Sequence, residues 1–215
     1  TTDWSRHRKW EERFSAQEGE LYKIIDPELD YLASIGKVPE PEMWQQVGVA
    51  LSLRDEELLE FIDDFWSGGE LNQELAAFLH SLRPRYKTAL LSNAWSGARE
   101  AVTRIFRLND FADAMFFSAE EGLAKPDSAF YHIAINWLKI PPSAIIFVDD
   151  RPENIEAACT LGMHGILYTD NNQTITEVES CLEIAVDDDT IMIEKHIRME
   201  NGESKKTKEK KRNTC

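Results

Sequence analysis

The spacing of apolar residues changes character near Gly69. Before it, apolar positions recur at helical intervals over residues 4–18, with Trp10 and Phe14 as the apolar points, and again over 27–35, 41–49 and 55–66. Ser52 is placed to cap the last of these helices and Gly68-Gly69 to end it. After Glu70, helical stretches at 71–82, 97–106, 127–138 and 153–161 alternate with short apolar runs, TALLS, AMFFS, AIIFV and GILYT. A last helix runs from about 174 to 182. Continuous apolar runs between amphipathic helices predict parallel strands buried on both faces, joined by right-handed crossovers.

The expected organisation is therefore a helical region (1–69), an α/β core with a Rossmann-like parallel sheet (70–183), and a polar end (184–215). The chain has 215 residues and 42% hydrophobic content, enough for a proper core. Its net charge of −15 argues against nucleic acid as a partner of the globular part. Residues 195–215 carry eight Lys/Arg against three Glu, a net +5, which leaves −20 on the rest. With almost no apolar residues, that basic tail is expected to be disordered. No apolar run approaches the roughly 18 residues of a membrane span, so no membrane partner is expected. Three cysteines, Cys159, Cys181 and Cys215, lack metal-ligand spacing and suit a reducing cytoplasm better than a disulfide framework. The five histidines show no ligand spacing either.

Candidate chemistry collects where apolar runs end. Open α/β sheets bind their ligands at the carboxyl ends of strands. In LLSNAWSG, Ser92 and Asn93 follow a strand directly. They could hold phosphate oxygens or cap the helix near Gly97. In GLAKPDSAF, Lys125 precedes Pro126. It could offset negative charge at the strand ends or be an ordinary surface lysine, while Asp127 or Ser128 caps the next helix. In AIIFVDDRPEN, Asp149 and Asp150 stand side by side, with Asn154 one helical turn further. A cation is the simplest way to keep both acids ionised, although acids also favour a helix N-terminus.

In this order the three segments resemble the haloacid dehalogenase (HAD) superfamily of hydrolases. LLSN looks like that family's second motif, Lys125 in KPD its third, and FVDDRPEN its fourth. The resemblance runs from Ser5 to about Leu182, and the helices before Glu70 look like the family's helical-bundle cap. It implies a Mg2+-dependent phosphatase acting on a small phosphorylated metabolite through an aspartyl-phosphate. Ser92 would bind the transferring phosphoryl group, with Asn93 assisting. Lys125 would be the catalytic charge-balancing residue. Asp150 would be the direct metal ligand, Asp149 would bind through water or pair with Lys125, and Asn154 would support them. The dehalogenase branch is disfavoured, because it needs no metal and tends to have Ser and Asn where this chain has two aspartates.

One part of the resemblance is missing. The family's nucleophile lies on the central strand, in an apolar run ending D-x-D before the cap, whereas this chain begins TTDWSRHRKW. Asp3 has no strand before it. The chain is thus expected to be cut after the nucleophile strand, leaving an apolar groove in the sheet and a weakened fold. IAVDDDT offers a permuted alternative, with Asp187 and Asp189 as the two aspartates, against the reading of an exposed acidic segment. Two functions compete: a hydrolase of this family, and a non-catalytic relative that keeps the fold for binding. Trp95, just after Asn93, is expected either to face the site or to cover the next helix.

Overall fold

A computed structural model describes residues 5–18, 21–66, 71–83, 85–107, 110–184 and 190–193. Four helices come first: α1 (Ser5–Phe14), α2 (Pro27–Ser34), α3 (Glu40–Ala50) and α4 (Asp55–Trp66). They enclose an aromatic core of Trp10, Met43, Trp44, Phe61 and Phe65, with Leu21, Ile25 and Val47. Ser52 does not cap α4. It adopts φ +54 beyond the end of α3, where Ser52 N donates to Val49 O and Leu53 N to Gly48 O. These two bonds make the Schellman ending of a helix. The start of α4 is served instead by Glu57, whose Oε2 accepts from Arg54 N at 3.0 Å. Gly68-Gly69 lies outside the described residues.

The alternating part follows: α5 (Gln73–Leu82), β1 (Lys87–Ser92), α6 (Ala98–Phe106), β2 (Ala114–Phe117), the short α7 (Ser118–Glu121), α8 (Ser128–Leu138), β3 (Ile146–Asp149), α9 (Pro152–Thr160), β4 (His164–Leu167) and α10 (Asn171–Ile184). Asp127 caps α8, its Oδ1 accepting from Ala129 N at 2.9 Å. The fold class is the one expected, a Rossmann-like α/β sheet between helices. Alternate strand residues face opposite layers. Ala89, Leu91 and Phe147 pack under α8 and α9 with Phe130, Tyr131 and Ala158. Ile146 and Val148 turn to α5 and α10 with Leu79 and Val178.

The sheet has five parallel strands in the order β2-β1-β5-β3-β4. Its centre corrects two expectations. The slot between β1 and β3 is not an open groove, because β5 (Thr190–Ile193) fills it. Thr88 and Ile146 both stand opposite Ile191, and Ala89 and Phe147 both stand opposite Met192. The polar end assigned to 184–215 thus contains a central strand. The physical reason is plain: two buried strand edges need partners, and TIMI is the apolar, mostly β-branched run available after α10. The permuted D-x-D does not follow from this. Helix α10 continues to Ile184, and Asp187 and Asp189 precede β5 in the chain, whereas a nucleophile must follow a strand. Both aspartates lie outside the described residues, as do Asp3 and the basic tail.

Candidate functional site

Ser92 ends β1 and Asp149 ends β3, so parallel pairing carries both to one edge of the sheet. Lys125 arrives there from the loop between α7 and α8. Its Nζ donates to Leu91 O at 2.9 Å and to Asp149 Oδ2 at 2.9 Å. The ammonium therefore ties together the ends of the two strands that flank β5. Both side chains of the Lys125–Asp149 pair are 0% exposed, so the pair sits in a low-dielectric setting where each charge depends on the other. Burial pulls the Lys125 pKa down to about 8, against the opposing pull of Asp149.

Asp149 accepts three further hydrogen bonds, from two groups. Arg151 N donates to Oδ1 at 2.8 Å, and Asn154 Nδ2 donates to both carboxylate oxygens at 3.0 and 3.1 Å. The main chain of Asn154 is held in turn by the Tyr131 hydroxyl, which donates to its backbone carbonyl at 2.9 Å. Asp150, half-buried, directly follows Asp149 at the end of β3. The Arg151 guanidinium turns away to Glu153 on the surface.

The loop after Ser92 does not serve as a side-chain helix cap. Asn93 does not cap α6, whose N-cap is Gly97 with no side-chain cap. Its amide is engaged with the main chain of Lys125: Nδ2 donates to Lys125 O at 2.9 Å, and Oδ1 accepts from Lys125 N at 2.8 Å. Asn93 thereby fixes the lysine's backbone to the end of β1. Ser118, fully buried at the start of α7, was missed by the sequence reading; its Oγ accepts from Ala94 N at 2.9 Å. Trp95 neither faces the strand ends alone nor covers α6. Its ring joins the aromatic core of the N-terminal helices, 5.5 Å from Trp44 and 6.0 Å from Phe65. Contacts of this kind join residues far apart in the chain and leave no local pattern to read.

A buried lysine–aspartate bridge thus joins the ends of β1 and β3, with Ser92 and Asp150 at the same strand ends. Residues 7–162, well over half of the chain, match the family model for haloacid dehalogenase-like hydrolases. The chain belongs to that family. Among relatives, it is 41% identical over 69 residues to a sesquiterpene phosphatase of Aspergillus oryzae, a match covering 32% of this chain and 35% of that protein. It is 29% identical over 136 residues to a D-ribitol-5-phosphate phosphatase of Bacteroides thetaiotaomicron, covering 59% of this chain and 65% of that one. The chain thus spans less than two thirds of the length of either relative. A HAD family enzyme from Bacteroides thetaiotaomicron, crystallised with magnesium and inorganic phosphate, superposes with a TM-score of 0.59 at 18% identity, over 66% of this chain and 74% of that chain. The α/β fold is thus shared with HAD enzymes. No helix among the described residues is long and apolar enough to cross a membrane.

Proposed function

We propose that the carboxyl edge of this sheet is the phosphoryl site of a Mg2+-dependent phosphatase of the HAD family, acting on a small phosphorylated metabolite. The observation that carries the reading is Lys125, buried between Leu91 O and Asp149, with Ser92 and Asp150 at the same edge. Two relatives named as phosphatases and a HAD enzyme crystallised with magnesium and phosphate support it. Ser92 offers a hydroxyl donor to a phosphoryl oxygen. Asn93 acts through Lys125, whose loop it holds. Lys125 offsets the charge gathered at the strand ends, and Asn154 fixes Asp149 so that it neither rotates nor competes.

The donors suit Mg2+, which takes one or two carboxylates and completes its shell with water and substrate phosphate. Asp150 would hold it directly, and Asp149, already committed to Lys125, would act through water. Bound there, the cation would neutralise phosphate charge and orient the ester. We place the N-terminal helices over this edge as a cap. Among the described residues the central strand reads Thr-Ile-Met-Ile and carries no carboxylate. No aspartate follows Ile193 in the sequence, which favours a second reading for the 215-residue chain, an anion- and Mg2+-binding protein without the aspartyl nucleophile.

Calorimetric titration tests the site itself. Inorganic phosphate should bind in the presence of Mg2+, weakly or not at all without it. Asp150→Asn should weaken Mg2+ binding by at least about tenfold, in the range seen when ligands and their supports are lost. Phosphate binding that is equal with and without Mg2+, and indifferent to Asp150→Asn, would remove the proposal.

A further inference from the structure

We infer that Trp95 is a positioning residue that ties the Ser92-Asn93 loop to the N-terminal helices, so that anion binding at the strand end and docking of those helices form one coupled equilibrium. Only residues 93–97 separate β1 from α6. The first part of this loop is anchored on the sheet, by Asn93 to Lys125 and by Ala94 N to Ser118 Oγ. The second part is anchored on the helices. Trp95 Nε1 donates to Asp30 Oδ1 of α2 at 2.9 Å. Its ring stacks on Phe65 at 24° and meets Trp44 and Trp66 edge-on. The Ser96 hydroxyl accepts from Glu40 N, at the start of α3, at 2.9 Å.

Adjacent residues, Ala94 and Trp95, thus belong to different bodies. A shift of the helices must either withdraw the indole from its aromatic surroundings or drag the backbone that follows Ser92. The docking is close as well as polar. Gly36, at φ +69 after α2, lies so near α7 that a Cβ would stand 2.1 Å from Ala119 O. Ala119 N in turn donates to Ala94 O at 3.3 Å. The turn after α2 therefore presses on the same stretch of loop that Trp95 holds. Whatever stabilises one arrangement of residues 93–97 stabilises the docked helices, and the reverse holds by thermodynamic necessity.

Hydrogen exchange on the full chain tests the tie without any ligand. Trp95→Ala should speed exchange in residues 36–44 and 94–97 by about tenfold, the loss expected for an aromatic cluster contact, while residues 146–160 keep the wild-type rate. Trp95→Phe, which retains a ring, should recover part of the protection. Wild-type exchange in 36–44 of Trp95→Ala would overturn the inference. If Trp95→Ala unfolds throughout, Asp30→Asn and Ser96→Ala decide on the same segments: faster exchange supports the tie and unchanged exchange overturns it. The coupling itself rests on the phosphate reading above. Inorganic phosphate with Mg2+ should bind Trp95→Ala about tenfold more weakly than wild type, with Mg2+ affinity unchanged. Equal phosphate affinity would overturn the coupling. No phosphate binding by the wild type would instead overturn the phosphate reading, with the tie still decided by exchange.

Discussion

Lys125 and Asp149 meet out of contact with solvent, so their desolvation is offset by each other and by groups such as Leu91 O, Arg151 N and Asn154. Removing one charge should leave the other poorly compensated. Lys125→Met is expected to lower stability by about 3 kcal/mol at pH 7, measured by urea denaturation. The same burial gives a pH signature. Lys125 titrates at about 8 in the folded state, below the ordinary lysine value of 10.5, so anion affinity should fall as pH rises through about 8. Stability should not fall with it. Between the two values the unfolded chain holds more protons than the folded one, and the Lys125 contribution to stability therefore rises with pH. Titrating phosphate from pH 7 to 9 alongside melting curves checks both signs; affinity that stays flat in wild type would place Lys125 outside the site. The sequence placed Lys125, Asp149 and Asp150 at a strand edge through apolar runs that stop at polar residues. It could not place the Asn93 amide on the Lys125 backbone, since that bond spans 32 positions and asks nothing unusual of either neighbourhood.

Among elements, β5 differs most from its sequence reading. Residues 184–215 are rich in charge, and a short run such as TIMI has no periodicity long enough to separate strand from helix or loop. What makes it a strand is the pair of edges on β1 and β3, where Ile191 meets Thr88 and Ile146 from far earlier in the chain. Proline there removes ladder hydrogen bonding in the middle of the sheet, where it is not tolerated. Ile191→Pro should cost about 3 kcal/mol or more, read as a lower urea midpoint. An unchanged midpoint would show that β5 does not hold the centre of the sheet. The end of α3 teaches the same lesson on a smaller scale. Serine is a good N-cap by composition, yet Ser52 closes the helix before it, because the Leu53 and Ser52 amides find carbonyls in α3.

At the scale of the molecule, a helical body and an α/β body meet over the loop that follows Ser92, and the meeting concerns function because both ends of that loop are held. The expected chemistry is divided in the same way. Ser92, Lys125, Asp149 and Asp150 share one edge, but the described central strand adds no carboxylate. For the 215-residue chain we expect background hydrolysis of a generic aryl phosphate with Mg2+. Turnover above background that disappears in Lys125→Ala would mean that a nucleophile stands somewhere other than on Thr190–Ile193. The sequence by itself determined the α/β class, the alternation of helices and strands from α5 to α10 and the polar residues at the strand ends, because burial on both faces and turn-forming residues write local, periodic signals. Only the tertiary structure decided what fills the centre of the sheet, where Trp95 goes and how Asn93 is used. Each of those depends on an edge, a ring cluster or a backbone group contributed from a distant part of the chain, and such complementarity exists only once both surfaces have formed.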